Sequence, residues 1–166
     1  MKLLIYSDLH LEFKRPLLPP DDIVYDVVVL AGDIHSPGYK AVRWAATAFE
    51  GTPVVYVPGN HEFYGCEIND ELERMRAEAE GTSVRVMDRD VFVHGGVRFL
   101  GCTLWTDFAL PILQEDGTRR SDCEKAISVA NAELVDFELI DIRKTFPEGD
   151  AGQTKRQRFF ARDSIA

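Results

Sequence analysis

Residues 53–65 read PVVYVPGNHEFYG, an apolar run that stops at a Pro-Gly turn and continues directly into Asn60, His61 and Glu62. The apolar run is typical of a buried β-strand, and the Pro-Gly pair is typical of a turn that ends one. A turn does not require an amide, an imidazole and a carboxylate in succession. This segment therefore indicates a functional site at the end of a strand.

Two earlier segments repeat the pattern of an apolar run followed by polar side chains. Residues 3–6 (LLIY) lead to Asp8 and His10, and residues 26–32 (DVVVLAG) lead to Asp33. The three runs are nearly continuous in apolar residues, which predicts a parallel sheet with both faces covered. Because parallel strands point the same way, their polar ends should line one crevice.

The rest of the chain predicts mainly helices. The expected elements are a helix capped by Ser36 with Pro37 in its first turn and Gly51 at its end, a helix capped by Asn69 or Asp70 and ended by Gly81, a Gly-Gly hairpin over 91–100, a helical region from Ser121 to about Arg143, and a last helix from about Thr154. The first of these helices makes residues 26–57 a βαβ unit.

The composition is that of one ordinary globular domain spanning residues 1–166. A net charge of −9 disfavours binding to nucleic acid or to anionic membranes, since both need a basic surface. The three cysteines are odd in number and form no CxxC pair, which favours reduced thiols and a cytoplasmic location. No apolar run reaches the roughly 20 residues of a membrane span.

The strand ends favour a divalent cation on electrostatic grounds. Asp8 and Asp33 should converge in a poorly solvated place, where two carboxylates repel each other unless a cation is present. His10 can turn a ring nitrogen toward the same ion, and Asn60 offers an amide oxygen. Oxygen ligands with one or two imidazoles suit manganese, iron or zinc.

The ordered set SDLH, AGDIH and PGNHE resembles the calcineurin-like metallophosphoesterases, and the phrases YVPGNHEFYG and GCTLWTDF are similar to small bacterial members. The resemblance covers almost the whole chain. It implies an α/β fold, an αββα sandwich that holds two divalent metal ions (Mn, Fe or Zn). It also implies hydrolysis of phosphate mono- or diesters by a metal-activated hydroxide.

The resemblance also implies roles for particular residues. Asp8 and His10 would hold the first ion, Asp33 would bridge both ions, and Asn60 would hold the second. His61 would be catalytic rather than a ligand, as a proton donor near the leaving-group oxygen. Lesser expectations are a ligand-supporting or surface contact for Glu62, a surface or pocket-rim position for His35, a structural role for His94, and pocket lining or packing for Glu12, Tyr64, Thr103 and Trp105.

The family pattern continues with later histidines that this sequence does not contain, because its fourth and last histidine is His94. We therefore expect the N-terminal portion of the domain only, a sandwich incomplete at the C-terminus, and a second metal site limited to Asp33 and Asn60. Such a site should bind weakly, so activity should be impaired. An uncovered sheet surface would favour a homo-oligomer.

Two other functions fit parts of the pattern. A shortened, non-catalytic chain could act as a binding or oligomerisation module through the uncovered sheet. A nucleotide-binding Rossmann domain shares the βαβ pattern, but SDLHLE stands after the first strand where G-x-G-x-x-G is required. We set that second alternative aside.

Overall fold

The computed structural model describes residues 1–13, 17–145, 154–161 and 163, in two compact units, Met1–Thr103 and Leu104–Ala166. The single domain over 1–166 stays a prediction. The first unit contains β1 (Leu3–Tyr6), β2 (Val27–Ala31), α1 (Gly38–Ala48), β3 (Val54–Val57), α2 (Ile68–Ala79), β4 (Val84–Val86), β5 (Asp90–His94) and β6 (Val97–Gly101).

A parallel sheet with the order β1-β2-β3-β4 forms the centre of the first unit. The three predicted strands are confirmed, and β4 adds a fourth. Tyr6 pairs with Leu30, and Leu30 pairs with Tyr56, so the first three strands leave the sheet at the same level. This register places the polar segments after them at one edge.

Burial differs between the central and edge strands. Val27, Val28 and Leu30 of β2 are fully buried, as a strand covered on both faces should be. The prediction of two covered faces is wrong for β1, where Leu3 and Ile5 are 43% and 62% exposed. Exposed and half-buried side chains alternate along this edge strand, so only one of its faces is partly covered.

The predicted first helix exists, but it begins later than expected. The N-cap position is Pro37 and not Ser36, and Gly38 is the first helical residue. A β-carbon at Gly38 would lie 2.5 Å from Met75 Sδ and 3.1 Å from Glu62 Cβ. A glycine here lets α1 approach α2 and the segment after β3 closely.

The second helix begins at Ile68, earlier than the predicted caps Asn69 and Asp70. Its N-cap is Glu67, whose carboxylate accepts a hydrogen bond from the Asp70 N–H at 2.9 Å. The longer glutamate side chain satisfies one of the backbone donors that every helix start leaves exposed.

The predicted hairpin is confirmed as the antiparallel pair β5 and β6. Gly95 and Gly96 form its turn with φ of 54° and 79°, a conformation that glycine adopts without steric cost.

The second unit contains β7 (Ile112–Leu113), β8 (Arg119–Arg120), α3 (Cys123–Glu133), α4 (Asp136–Leu139), β9 (Asp141–Thr145) and β10 (Thr154–Arg158). The predicted helical region from Ser121 to Arg143 is therefore only partly right, since its last part is a strand. The cap of α3 is Asp122, which accepts from the Lys125 N–H at 3.1 Å, and not Ser121.

The helix predicted from Thr154 is wrong, because this segment is the strand β10, antiparallel to β9. Residues 154–158 contain no apolar residues at helical spacing. Their charged side chains form ion pairs across the two strands instead. Arg156 and Arg158 approach the carboxylate of Asp141 at 2.7 and 3.3 Å. The predicted continuation to Ile165-Ala166 lies outside the described residues.

None of the helices in the described residues is long and apolar enough to cross a membrane.

Candidate metal centre

The loops after β1 and β2 are joined by backbone hydrogen bonds just beyond the sheet. The Asp8 N–H donates to the Gly32 carbonyl at 3.0 Å, and the His10 N–H donates to the Asp33 carbonyl at 3.0 Å. These bonds extend the pairing of the two strands and hold the polar residues of both loops side by side.

Three of these polar residues have a left-handed backbone. The φ angles are 53° for Asp8, 46° for His10 and 55° for Asp33. Among the described residues, only Arg89 and Phe108 share this property without being glycine. Such conformations cost of the order of 1–3 kcal/mol each and are concentrated at functional sites.

Side chains from all three strand ends converge at this edge. Ligand atoms of His10, Asp33 and His61 all lie within 4.8 Å of one another. The His10 and His61 rings meet edge to face with 4.5 Å between their centroids. The backbone N–H of His61 donates to Asp33 Oδ1 at 3.2 Å. The sequence prediction that these residues share one crevice is thus supported by geometry.

Asp8 and Asn60 are placed differently. The structure puts Asp8 on the same loop as His10, but its side chain is exposed and is not in the group of three. The amide nitrogen of Asn60 donates to the Tyr64 hydroxyl at 3.0 Å, and the Tyr64 ring lies 4.3 Å from that of His61. Metal ligation by Asp8 and Asn60 therefore stays a prediction.

Glu62 is the residue whose importance the sequence underestimated. It is fully buried, and its carboxylate accepts from the N–H groups of Asp33 at 3.0 Å, Ile34 at 2.7 Å and Gly59 at 2.7 Å. Burial raises the pKa of Glu62, while the hydrogen bonds from Ile34 and Gly59 oppose this shift. One carboxylate thus holds together the turns that follow β2 and β3.

Glu12 lies between the two imidazoles. Its Oε1 is 3.4 Å from His10 Nδ1 and 3.5 Å from His61 Nδ1. Burial raises the pKa of Glu12, but hydrogen bonds with its own N–H, with His10 and with the Ser36 N–H hold that pKa below its ordinary value. The side chain is therefore an anionic partner for the histidines.

The remaining candidates have local partners. His35 Nδ1 is 2.8 Å from the Ser36 carbonyl, and the His94 ring stacks on Phe92. The buried Thr103 hydroxyl donates to the Pro58 carbonyl at 2.9 Å and so supports the turn after β3. In the second unit, Trp105 packs edge-on against Phe159 with 4.9 Å between centroids.

The donor set fits a divalent cation of intermediate hardness. Two imidazoles and one carboxylate lie within reach of a shared point, and all three side chains are half-buried. Nitrogen and oxygen donors in this mixture suit manganese, iron or zinc, whereas calcium prefers oxygen alone.

Comparisons with known proteins agree with this geometry. The sequence profile described as calcineurin-like phosphoesterase matches residues 1–144. No curated protein sequence matches the chain. A phosphopantetheinyl hydrolase from Mycobacterium tuberculosis has a similar structure, with a TM-score of 0.54 and 18% identity over 84% of this chain. The matched region is 54% of that protein, so this chain spans about half its length.

At this identity the structural likeness supports the fold, which confirms the predicted α/β class. The profile match covers most of the chain and includes all three strand-end segments. The chain belongs to the calcineurin-like phosphoesterase family.

Proposed function

We propose that this chain hydrolyses phosphate esters at the strand-end site, with a divalent cation held by Asp8, His10, Asp33 and Asn60. The observation that carries the proposal is the convergence of His10, Asp33 and His61 where three parallel strands end. A cation bound there would polarise a phosphoryl oxygen and acidify a water molecule.

The chain's own residues divide into binding and proton transfer. In this proposal the loop after β1 supplies Asp8 and His10 as ligands, and the loop after β2 supplies Asp33. Since the Asn60 nitrogen donates to Tyr64, the oxygen is the amide atom suited to a cation. His61, whose backbone N–H is bonded to Asp33 Oδ1, would give a proton to the leaving-group oxygen.

A second cation should bind more weakly than the first. This chain has four histidines, and neither His35 nor His94 belongs to the group at the strand ends. A second ion would depend on Asp33 and Asn60, one carboxylate and one neutral amide. We therefore expect one tight site and low turnover.

Substrate preference is proposed at the level of the phosphate ester. The structural neighbour is a phosphopantetheinyl hydrolase, so a phosphopantetheinyl ester belongs in a test panel beside aryl mono- and diesters. A net charge of −9 disfavours long nucleic acids and anionic lipid surfaces as substrates. We propose the cytoplasm as compartment, because no disulfide joins the cysteines, all of which are described.

The decisive experiment compares His10→Ala with His61→Ala. Metal-free protein is titrated with Mn²⁺ by calorimetry, and hydrolysis of 4-nitrophenyl phosphate and bis(4-nitrophenyl) phosphate is followed with Mn²⁺, Zn²⁺ or Fe²⁺. We expect His10→Ala to weaken Mn²⁺ binding, and His61→Ala to bind Mn²⁺ with a kcat about 10²–10⁴-fold lower.

Two results would contradict the proposal. Wild-type protein that neither binds a divalent ion nor hydrolyses an ester would contradict the proposed enzymatic function. A His61→Ala variant that loses Mn²⁺ as completely as His10→Ala would make His61 a ligand rather than a proton donor.

A second candidate, association with another copy of this chain, rests on exposed apolar side chains in the first unit. Val91 pairs with Leu100 across the hairpin, and both are exposed, as is Val93 two residues along the same face. Exposed apolar side chains grouped on one face of a hairpin favour association. Sedimentation velocity would show a dimer that Val93→Lys dissociates; a monomer at high concentration would reject this candidate.

A further inference from the structure

We propose that Glu12 is a positioning residue that fixes the tautomers of both His10 and His61, an inference that rests on the proposed phosphoesterase function. Glu12 lies outside the ligand and proton-donor set inferred from the resemblance. Three contacts of its carboxylate join the loop after β1, the loop after β2 and the segment after β3.

Each oxygen of the carboxylate has its own partners. Oε1 lies 3.4 Å from His10 Nδ1 and 3.5 Å from His61 Nδ1. Oε2 accepts from the Ser36 N–H at 3.3 Å. The side chain is only 13% exposed, so water competes weakly for these contacts. The carboxylate is therefore anchored on one side and shared by two rings on the other.

An ionised carboxylate can only accept hydrogen bonds, so each ring that faces it must offer an N–H. A neutral imidazole beside Oε1 then carries its proton on Nδ1, and Nε2 is the nitrogen with a lone pair. For His10 this makes Nε2 the atom for a cation. For His61 it makes Nε2 the atom on the substrate side, and the ring gives a proton from Nε2 to the leaving-group oxygen only after it has taken up a second proton.

The contact between the rings gives this arrangement a further consequence. The His10 and His61 ring centroids are 4.5 Å apart. A change in the orientation of one ring should therefore change the orientation of the other. Because Glu12 Oε1 lies near both rings, loss of Glu12 should disturb cation binding and proton transfer together. Partners of this kind typically affect metal affinity or activity by about 10–100-fold.

The direct test determines the tautomers in the metal-free chain of residues 1–166 by ¹⁵N NMR of the imidazoles, at a pH where the rings are neutral. We expect Nδ1–H for His10 and His61 in the wild type, and a shift toward Nε2–H in Glu12→Leu, which removes both acceptors. Glu12→Gln keeps the shape of the side chain but loses the charge and one acceptor, so we expect an intermediate result.

The matched control is Glu78→Gln, which removes a carboxylate that pairs with Arg43 on the surface. It should leave both tautomers unchanged. Wild-type spectra with Nε2–H on His10 and His61 would overturn the proposal without any variant. So would a Glu12→Leu spectrum identical to that of the wild type.

A second measurement separates this inference from the proposed function. In calorimetry, Glu12→Leu should bind Mn²⁺ about 10–100-fold more weakly than Glu78→Gln does. At saturating Mn²⁺, kcat for bis(4-nitrophenyl) phosphate should fall about tenfold while KM changes by less than about twofold. Equal Mn²⁺ affinity and equal kcat in the two variants would overturn the role of Glu12.

The two hypotheses fail in different ways. A wild-type chain that hydrolyses no ester, yet has Nδ1–H tautomers that depend on Glu12, would overturn the proposed function and keep the positioning role. A chain that hydrolyses esters with Nε2–H tautomers would do the reverse.

Discussion

A buried carboxylate explains why the strand-end turns of this protein keep one conformation. Glu62 takes hydrogen bonds from N–H groups in both the turn after β2 and the turn after β3. Burying a charged group without partners is costly, and the backbone donors offset this cost. The Asp33 backbone, which is left-handed, is thereby held in place by a residue 29 positions away.

We expect Glu62→Gln to destabilise the protein by about 1–3 kcal/mol, because the amide nitrogen cannot accept from the N–H groups that one carboxylate oxygen now serves. Urea denaturation monitored by circular dichroism measures the change. Glu78→Gln, at an exposed ion pair, should stay within about 0.5 kcal/mol of wild type. Equal midpoints for the two variants would contradict this role of Glu62.

Glu71 gives a prediction about pH. It is buried in α2, accepts from the Tyr39 N–H at 2.8 Å, and has its pKa raised by desolvation. The folded state therefore binds the proton more tightly than the unfolded state. This contribution to stability is fully present below the ordinary glutamate pKa and is lost as pH rises through the raised value.

Glu71→Gln should remove this dependence, since a neutral amide oxygen can still accept from Tyr39. The free energy of unfolding of the variant minus that of wild type should therefore be more positive at pH 7 than at pH 4. Urea midpoints at the two pH values give the comparison. A difference between variant and wild type that is the same at both pH values would rule out titration of Glu71 as the cause.

At the scale of elements, the site depends on how closely two turns approach each other. A β-carbon on Gly59 would collide with the Asp33 carboxylate, and one on Gly32 would lie 3.1 Å from Gly59. Glycines therefore occupy both turns for reasons of space, and in Gly32 also because φ is 86°. The two turns can approach this closely only because Gly32 and Gly59 have no β-carbon.

We expect Gly59→Ala to cost about 1–3 kcal/mol of stability and to weaken Mn²⁺ binding, because the added methyl group displaces the Asp33 carboxylate. Gly65→Ala is the matched control. Its φ of 75° makes the change unfavourable by about 1–2 kcal/mol, but nothing lies within 4 Å of the new atom. Calorimetry with Mn²⁺ should separate the two variants, and equal affinities would contradict the steric argument.

For the whole molecule, the features that could be predicted are those encoded by neighbouring residues in the sequence. The strands up to β3 and the polar turns after them are contiguous patterns, so Asp8, His10, Asp33, Asn60 and His61 could be proposed together. The contacts of Glu12 and Glu62 could not be predicted in this way, because partners such as Ser36 for Glu12 and Asp33 and Ile34 for Glu62 lie 24 to 29 residues away. The strand β10 could not be predicted from its own residues, because it forms by pairing with β9.

Metal binding at the strand ends should raise the free energy of unfolding of the molecule. A ligand that binds only the folded state adds about 2.7 kcal/mol at a concentration of 100 Kd, which corresponds to roughly 5–11 °C in Tm for a chain of this size. We expect Mn²⁺ to raise the Tm of the wild type and of Glu78→Gln, EDTA to reverse the increase, and Asp33→Asn to show little of it.

Hydrogen exchange would locate this stabilisation. Because the loops after β1 and β2 are linked through the Asp8 and His10 amides, a cation that draws them together should slow exchange of these amides and of His61. The Gly95-Gly96 turn of the hairpin lies outside the cluster and serves as the internal reference. Protection by Mn²⁺ that is equal in the turn and at the strand ends would indicate nonspecific binding and would contradict a metal centre built from Asp8, His10, Asp33 and Asn60.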